Sequence, residues 1–341
     1  MSRPVPSLDL FANRTQFRRR LLRWFQRNGR DLPWRQTRDP YAILVSEFML
    51  QQTQVATVIP YYRRWLKRFP TFADLARAPE PEVLHAWQGL GYYARARRLQ
   101  LAAQTVMTKL GGRLPATRRQ IEQLPGIGRY TAGAISSFAF NLAEPIVDAN
   151  VARVLTRLTN LRQPIDLSSG RAHLWRIAEL LLPPNKAREH NSALMDLGAM
   201  ICLPKRPLCS QCPVHSFCRA NKPEQLPIKR KRPSLRSLTE RHAFIRHRNF
   251  VLLEQSRGRW QNMWILPRLN GAKRGAMLLS LNFPFTHHRV RLEVFAKSSP
   301  TLPNENSRWF KPIALASLPI PTPHRRALAQ LLPASHSILR P

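Results

Sequence analysis

Apolar positions recur with helical spacing through the first two thirds of the chain and with strand spacing after that. Residues 11–29 place Phe17, Leu21, Leu22, Trp24 and Phe25 on one side of an arginine-rich helix. The pattern predicts further helices over 40–59, 61–69, 71–78, 81–87 and 94–110, with turn residues between them. Thr117-Arg118-Arg119-Gln120 reads as a capping box opening a helix that runs to Leu124, and a second helix is predicted over 130–138. Pro125 closes the first, and Gly126 and Gly128 make a tight turn into the second. Helices over 151–161, 170–182 and 192–201 lead into a cysteine loop. No alternating pattern occurs before residue 225, so residues 1–225 are expected to form an all-α domain.

Residues 226–238, rich in Pro, Lys and Arg and without an apolar period, predict a basic linker. The period then changes to two. Residues 242–246 and 250–254 read as strands paired around a short turn, and 288–294 alternates as a strand. Residues 319–332 start with proline and end as a short helix. Residues 239–341 are thus expected to be a smaller α+β domain.

Charge narrows the function class. The 341 residues carry 55 Lys and Arg against 19 Asp and Glu, a formal charge of +36. Such a surface attracts a polyanion, most commonly nucleic acid; a basic surface serving only solubility is the plain alternative. No basic amphipathic helix stands apart as a membrane anchor, and no run of eighteen apolar residues exists to span a bilayer. The N-terminus is Arg-rich and acid-poor like a transit peptide, but it has helical periodicity and no apolar signal core. The expectation is an intracellular, bacterial cytoplasmic and nucleoid-associated monomer.

Three features carry candidate chemistry. The glycine turn at 126–128 feeds a helix mouth, where backbone N–H groups can hold a phosphate, although most such turns only join helices. Glu47 has Ile43, Leu44, Leu50 and Gln51 as its helical neighbours, a lone carboxylate on an apolar stripe. It is either a general acid with a raised pKa or an edge residue paired with an arginine. Asp148 stands directly before a helix, as a simple N-cap or as a carboxylate kept ionised by the helix terminus. One neutral and one charged acid is the division of labour used to cleave glycosidic bonds. Finally, all four cysteines are grouped as Cys202-x6-Cys209-x2-Cys212-x5-Cys218, which argues for a metal site rather than disulfides. Four thiolates in this compact, asymmetric set suit a [4Fe-4S] cluster, with a structural zinc as the alternative. Lys205, Arg206 and Arg219 surround the set with positive charge.

Hairpin, aspartate and cysteine loop in this order resemble the helix-hairpin-helix DNA glycosylases of the endonuclease III superfamily. Ser46-Glu47-Phe48-Met49-Leu50-Gln51-Gln52-Thr53-Gln54-Val55, the run from Gly89 through Tyr92 to Arg97, and the run from Met195 to Cys202 resemble the adenine DNA glycosylase (MutY) branch. The resemblance is strong over 10–225 and weaker over 235–335. It implies removal of adenine mispaired with 8-oxoguanine or guanine in double-stranded DNA, with a [4Fe-4S] cluster on Cys202, Cys209, Cys212 and Cys218. Glu47 would protonate adenine N7 and Asp148 would stabilise an oxocarbenium-like sugar, with Tyr130 beside them and Asn150 ordering the site. Trp34 and Arg35 would line the adenine pocket. Gln51 and Tyr92 would enter the duplex as wedges, and Gly126 and Gly128 would hold its backbone. A base inside a duplex must be flipped out before it can be reached.

The resemblance also separates branches. Lyase members carry Lys where this chain has Tyr130, so base excision with little strand cleavage is expected. The C-terminal part resembles a Nudix-like domain that senses 8-oxoguanine. The run from Gly258 to Pro267 resembles its tryptophan-rich turn, and Phe285-Thr286-His287 its Phe-Ser-His loop, with Thr286 and His287 as the recognition residues. The plain alternative for the Phe285-Thr286-His287 stretch is a surface turn between strands. With four glutamates from residue 226 onward, the domain lacks the ligands of a Nudix pyrophosphatase. Ala149, Ala152 and Ser192 depart from the branch pattern. An endonuclease III-like lyase and a non-enzymatic iron–sulfur DNA-binding protein are the rival readings.

Overall fold

The computed structural model describes residues 12–230, 234–269, 275–297 and 305–332; the chain before residue 12 and residues 231–233 of the expected linker lie outside these. In chain order the helices are α1 (Arg14–Asn28), α2 (Pro40–Leu50), α3 (Val55–Arg68), α4 (Phe72–Arg77), α5 (Glu80–Ala86), α6 (Ala94–Lys109), α7 (Arg118–Ile121), α8 (Arg129–Phe140), α9 (Ala149–Thr159), α10 (Ser168–Leu181), α11 (Ala187–Asp196) and α12 (Thr322–Leu331). The strands are β1 (Arg236–Phe244), β2 (Arg246–His247), β3 (Phe250–Gln255), β4 (Trp264–Ile265), β5 (Met277–Phe285), β6 (His288–Ala296) and β7 (Ser307–Phe310). Among the described residues no helix is long and apolar enough to cross a membrane.

Contacts do not group the chain in linear order. One compact unit comprises Met1–Gln52 and Thr105–Lys231, and the other comprises Thr53–Gln104 and Arg232–Pro341. The division at a linker over 226–238 is a boundary of composition. By contact, four helices from the N-terminal half fall in with the C-terminal strands.

In the first unit α1, α9, α10 and α11 close a core around Phe17, Leu21, Val154, Leu155, Leu158, Leu174, Ile177 and Leu194. Helix α2 is buried all round from Tyr41 to Met49, as a helix without a polar face must be. It packs against α8, which presents the small buried residues Ala132, Gly133, Ala134, Ser136 and Ser137. A Cβ on Gly133 would lie 3.0 Å from the Pro145 carbonyl oxygen, so close approach requires glycine there.

Three local expectations are corrected. The helix expected over 40–59 is two helices, because Gln52 takes a left-handed φ of 58° between α2 and α3. Helix α3 then runs through Pro60 and absorbs the segment expected over 61–69. The capping box at Thr117 does not form: its hydroxyl donates to Gln120 Oε1 at 2.5 Å and caps no backbone N–H. A complete box closes instead on Thr71 and Asp74. The helix expected over 192–201 begins at Ala187 and widens into a π turn over Leu197–Ile201.

In the second unit Trp65 meets Trp87 and Phe69 edge to face at 5.4 and 5.0 Å. One sheet has the order β1-β6-β5, with β6 parallel to β1 and antiparallel to β5; the other has β2-β3-β4 with β7 on β3. The expected pairing of 242–246 with 250–254 is mostly replaced. Residues up to Phe244 lie parallel to β6, while Arg246 and His247 fold back on Val251 and Phe250 and Leu252 N donates to the Ile245 carbonyl at 3.1 Å. Parallel partners lie far apart in sequence, so periodicity cannot reveal them. Val251, Leu253, Leu266, Leu292, Val294 and Leu328 form the core beneath α12. Helices α5 and α6 meet this part through Asn262, which donates to Glu80 Oε1 at 3.1 Å, and through Arg97, whose guanidinium donates to the Gln261 carbonyl.

Candidate active site

Three acidic side chains from three elements of the first unit converge. Glu47, 3% exposed in the middle of α2, is hydrogen-bonded to the hydroxyl of Tyr130 in the first turn of α8. Asp148 caps α9, accepting from Val151 N at 2.6 Å and from Asn150 Nδ2 at 3.1 Å. Its charge is felt by both Glu47 and Tyr130. The N-cap reading of Asp148 therefore holds. The alternative for Glu47, an edge residue paired with arginine, does not: it makes no ion pair among the described residues.

The electrostatics separate the acids. Burial pushes the Glu47 carboxyl up to about 7; the Tyr130 hydrogen bond opposes this and the Asp148 charge adds to it. Burial also raises Asp148, so the helix terminus alone does not set its charge. The Val151 N–H, Asn150 and the Arg153 guanidinium all pull it back toward the ionised form. Tyr130 is driven well above its ordinary value by burial and by the two carboxylates, so it stays a neutral donor.

Asn150 is held in turn. Arg153 Nη2 donates to Asn150 Oδ1 at 2.9 Å and to the Gly198 carbonyl at 2.6 Å, and its Nε donates to the Cys202 carbonyl at 2.8 Å. A Cβ on Gly198 would lie 2.7 Å from Asn150 Cβ, which is why the π turn can sit against this end of α9. Arg157, 1% exposed, donates to the carbonyls of Leu203 and Pro204 at 2.7 and 2.8 Å and approaches Cys202 Sγ at 3.2 Å. Sequence reading missed both arginines. Their signal was two cations four residues apart on the otherwise apolar face of α9.

The four cysteines are partly buried free thiols. Burial pushes Cys212 up to about 11, and the charges of Cys202, Cys218 and Cys209 add to it, which puts the four within electrostatic reach of one another. Ionising such a set needs a compensating cationic centre, so its chemistry fits a group that takes four thiolates. Among the described residues no three His, Cys, Asp or Glu side chains are arranged to hold a single metal ion.

Other expected residues fall variously. Trp34 is buried in a short 3-10 turn. Arg35 grips Asp196 with both terminal nitrogens at 2.7 and 2.8 Å, beside Arg30 at 2.6 Å. Arg35 also lines a cavity of about 450 Å³ with Phe25, Arg30, Asp31 and Glu189, and this cavity includes none of Glu47, Tyr130 or Asp148. Ser192 is buried on α11, whose neighbour Asn191 donates to Ser137 Oγ at 2.8 Å. Gly126, with a left-handed φ of 78°, and Gly128 are exposed in the turn, anchored by buried Leu124 and Ile127. Gln51 ends α2 in this unit.

Tyr92 lies in the second unit, 41% exposed, with a left-handed φ of 46°. Its ring stacks on Phe285 at 6.3 Å and 25°. Thr286 and His287 are the exposed two-residue turn of the β5–β6 hairpin, and Thr286 also has a left-handed φ, 49°. Left-handed Tyr and Thr are costly conformations that persist only where surrounding packing holds them.

The family described as "HhH-GPD superfamily base excision DNA repair protein" matches residues 45–179. An adenine DNA glycosylase of Rattus norvegicus is 50% identical over 230 residues, 64% of this chain and 45% of the relative. The chain therefore spans less than half the length of such mammalian relatives. An adenine DNA glycosylase of Buchnera aphidicola subsp. Baizongia pistaciae is 39% identical over 259 residues, 74% of this chain and 73% of the relative. Among solved structures, a thermostable thymine-DNA glycosylase superposes with a TM-score of 0.56 at 34% identity, covering 61% of this chain and 96% of its own. Endonuclease III in a trapped covalent DNA intermediate gives a TM-score of 0.52 at 26% identity, covering 60% of this chain and 95% of its own. On the fold, the convergent acids and these relatives, the chain belongs to the adenine DNA glycosylase family of helix-hairpin-helix base-excision repair proteins.

Proposed function

We propose that this protein hydrolyses the N-glycosidic bond of adenine mispaired with 8-oxoguanine or guanine in double-stranded DNA. The observation that carries the reading is the buried Glu47 carboxyl, raised to about 7, hydrogen-bonded to Tyr130 and beside the Asp148 charge. A carboxyl so placed is half protonated at neutral pH and can donate to adenine N7, which makes the purine a neutral leaving group. As the bond breaks, positive charge builds on the sugar and Asp148, held by Val151 N and Asn150, stabilises it. Water then bonds to the sugar carbon in place of the base, and the proton it gives up restores the Glu47 carboxyl. Tyr130 has no amine to attack the sugar, so the strand stays intact.

The remaining assignments are carried over from the resemblance. Gly126 and Gly128 would receive the DNA backbone, Gln51 and Tyr92 would fill the space left by the flipped base, and Trp34 would wall the adenine. Thr286 and His287, on a Nudix-like domain, would read the oxidised base. Cys202, Cys209, Cys212 and Cys218 would hold a structural [4Fe-4S] cluster, which supplies no step of the reaction. The division into a catalytic domain to residue 225 and a sensing domain from residue 239 is part of this reading, as is action as a monomer. Single-turnover excision on an adenine:8-oxoguanine duplex, with and without alkali, tests it. Release of adenine with nicks appearing only after alkali is expected; nicks without alkali would favour the lyase reading.

A further inference from the structure

Tyr92 and the hairpin tip belong to one continuous ladder of rings and cations. Arg95 lies 5.2 Å from the Trp87 ring and 5.9 Å from the Tyr92 ring. Tyr92 stacks on Phe285, and Arg259 covers the Phe285 ring at 4.1 Å. One end is fixed by Arg95 Nη2, which donates to the Leu90 carbonyl at 2.8 Å. At the other end Arg259 Nη1 lies 3.4 Å from Glu240 Oε1, both side chains 14% exposed. That approach makes no hydrogen bond, and among the described residues Arg259 Nη1 and Glu240 Oε2 have no hydrogen-bond partner. The carboxylate therefore holds the charge of Arg259 in place, while the ring beneath sets the plane of the guanidinium.

We propose that Arg259 is a positioning residue for recognition of the base opposite the adenine. This rests on the reading of the protein as an adenine glycosylase with Tyr92 as wedge and Thr286–His287 as reading turn. Both turns have a non-glycine residue at positive φ, and such turns relax unless packing holds them. Phe285 is the layer they share, and Arg259 is what presses Phe285 onto Tyr92. Wedge and reading turn then move as one body, so a mismatch sensed by the turn is transmitted to the wedge that extrudes the adenine. Removing the cation frees the hairpin tip from the wedge without touching Glu47 or Asp148.

The test measures single-turnover excision and duplex affinity on adenine:8-oxoguanine and adenine:guanine substrates for the full chain, Arg259→Gln, Arg259→Lys and Glu240→Gln, with thermal melts of each. Arg259→Gln is expected to slow excision opposite 8-oxoguanine about tenfold and opposite guanine less than about twofold, from the loss of one desolvated cation–ring contact. Arg259→Lys keeps the charge over the ring and recovers part of the discrimination, and Glu240→Gln shifts it in the same direction as Arg259→Gln. Unchanged discrimination in a folded Arg259→Gln protein overturns the proposal and leaves the glycosylase reading standing, as does an equal loss on both substrates. A wild-type protein that excises adenine from neither duplex overturns both.

Discussion

Arg153 joins Asn150 to Cys202: one nitrogen of its guanidinium donates to the Asn150 amide oxygen at 2.9 Å and another to the Cys202 carbonyl at 2.8 Å. Asn150 in turn donates to the Asp148 carboxylate. The cysteine loop is thereby linked to the Asp148 carboxylate through two side chains. Arg153→Met is expected to slow single-turnover excision by about tenfold or more, because the polar groups it leaves behind lose their donors. Arg153→Lys should recover little, since one ammonium cannot reproduce a planar fork. Normal excision by a folded Arg153→Met protein would show that Asp148 is positioned without it.

The pH dependence follows from Glu47. Its donor form is lost as pH rises through about 7, so the single-turnover rate should fall with a midpoint near there on binding-saturated duplex. The Tyr130 hydrogen bond lowers the Glu47 value, so Tyr130→Phe should move the midpoint upward. A rate flat across neutral pH in the wild type counts against Glu47 as the acid.

Stability should move opposite to activity at the same residue. The Glu47 carboxyl titrates at about 7 in the fold against 4.5 ordinarily. Between those values the folded state binds the extra proton, so stability is full below about 4.5 and is lost as pH rises through about 7. Glu47→Gln removes this penalty and should raise the denaturation midpoint above neutral pH, by roughly 3 kcal/mol at most, while abolishing excision. Equal wild-type and variant stabilities at alkaline pH would mean Glu47 is better solvated than its burial implies.

Asp196 has a fully buried side chain between Arg30 and Arg35. Asp196→Asn leaves two guanidiniums without their counter-charge and should cost about 3 kcal/mol of stability. The effect is read as a lower denaturant midpoint with unchanged slope. Excision lost with stability intact would assign Arg35 a direct part in the site.

Contiguous features are legible in the sequence. The glycine turn at 126–128, the aspartate before α9 and the cysteine spacing are each set by chemistry that neighbours in the chain must share. Period alone placed most helices and the strand over 288–294. It failed where backbone conformation changed without a compositional mark, as at Gln52, and where a partner was remote, as for β1 on β6.

From its sequence alone, this protein's charge, its helical first part and the identities of Glu47, Asp148 and the four cysteines could be stated, because each is written in residues close together. The tertiary structure decided that Glu47 meets Tyr130 rather than an arginine, that Arg35 is spent on Asp196 and that Arg153 reaches Cys202. It also decided that residues 53–104 group with the C-terminal strands. Burial and hydrogen-bond partnership depend on every element packed around a side chain, and those elements come from positions that no local pattern connects.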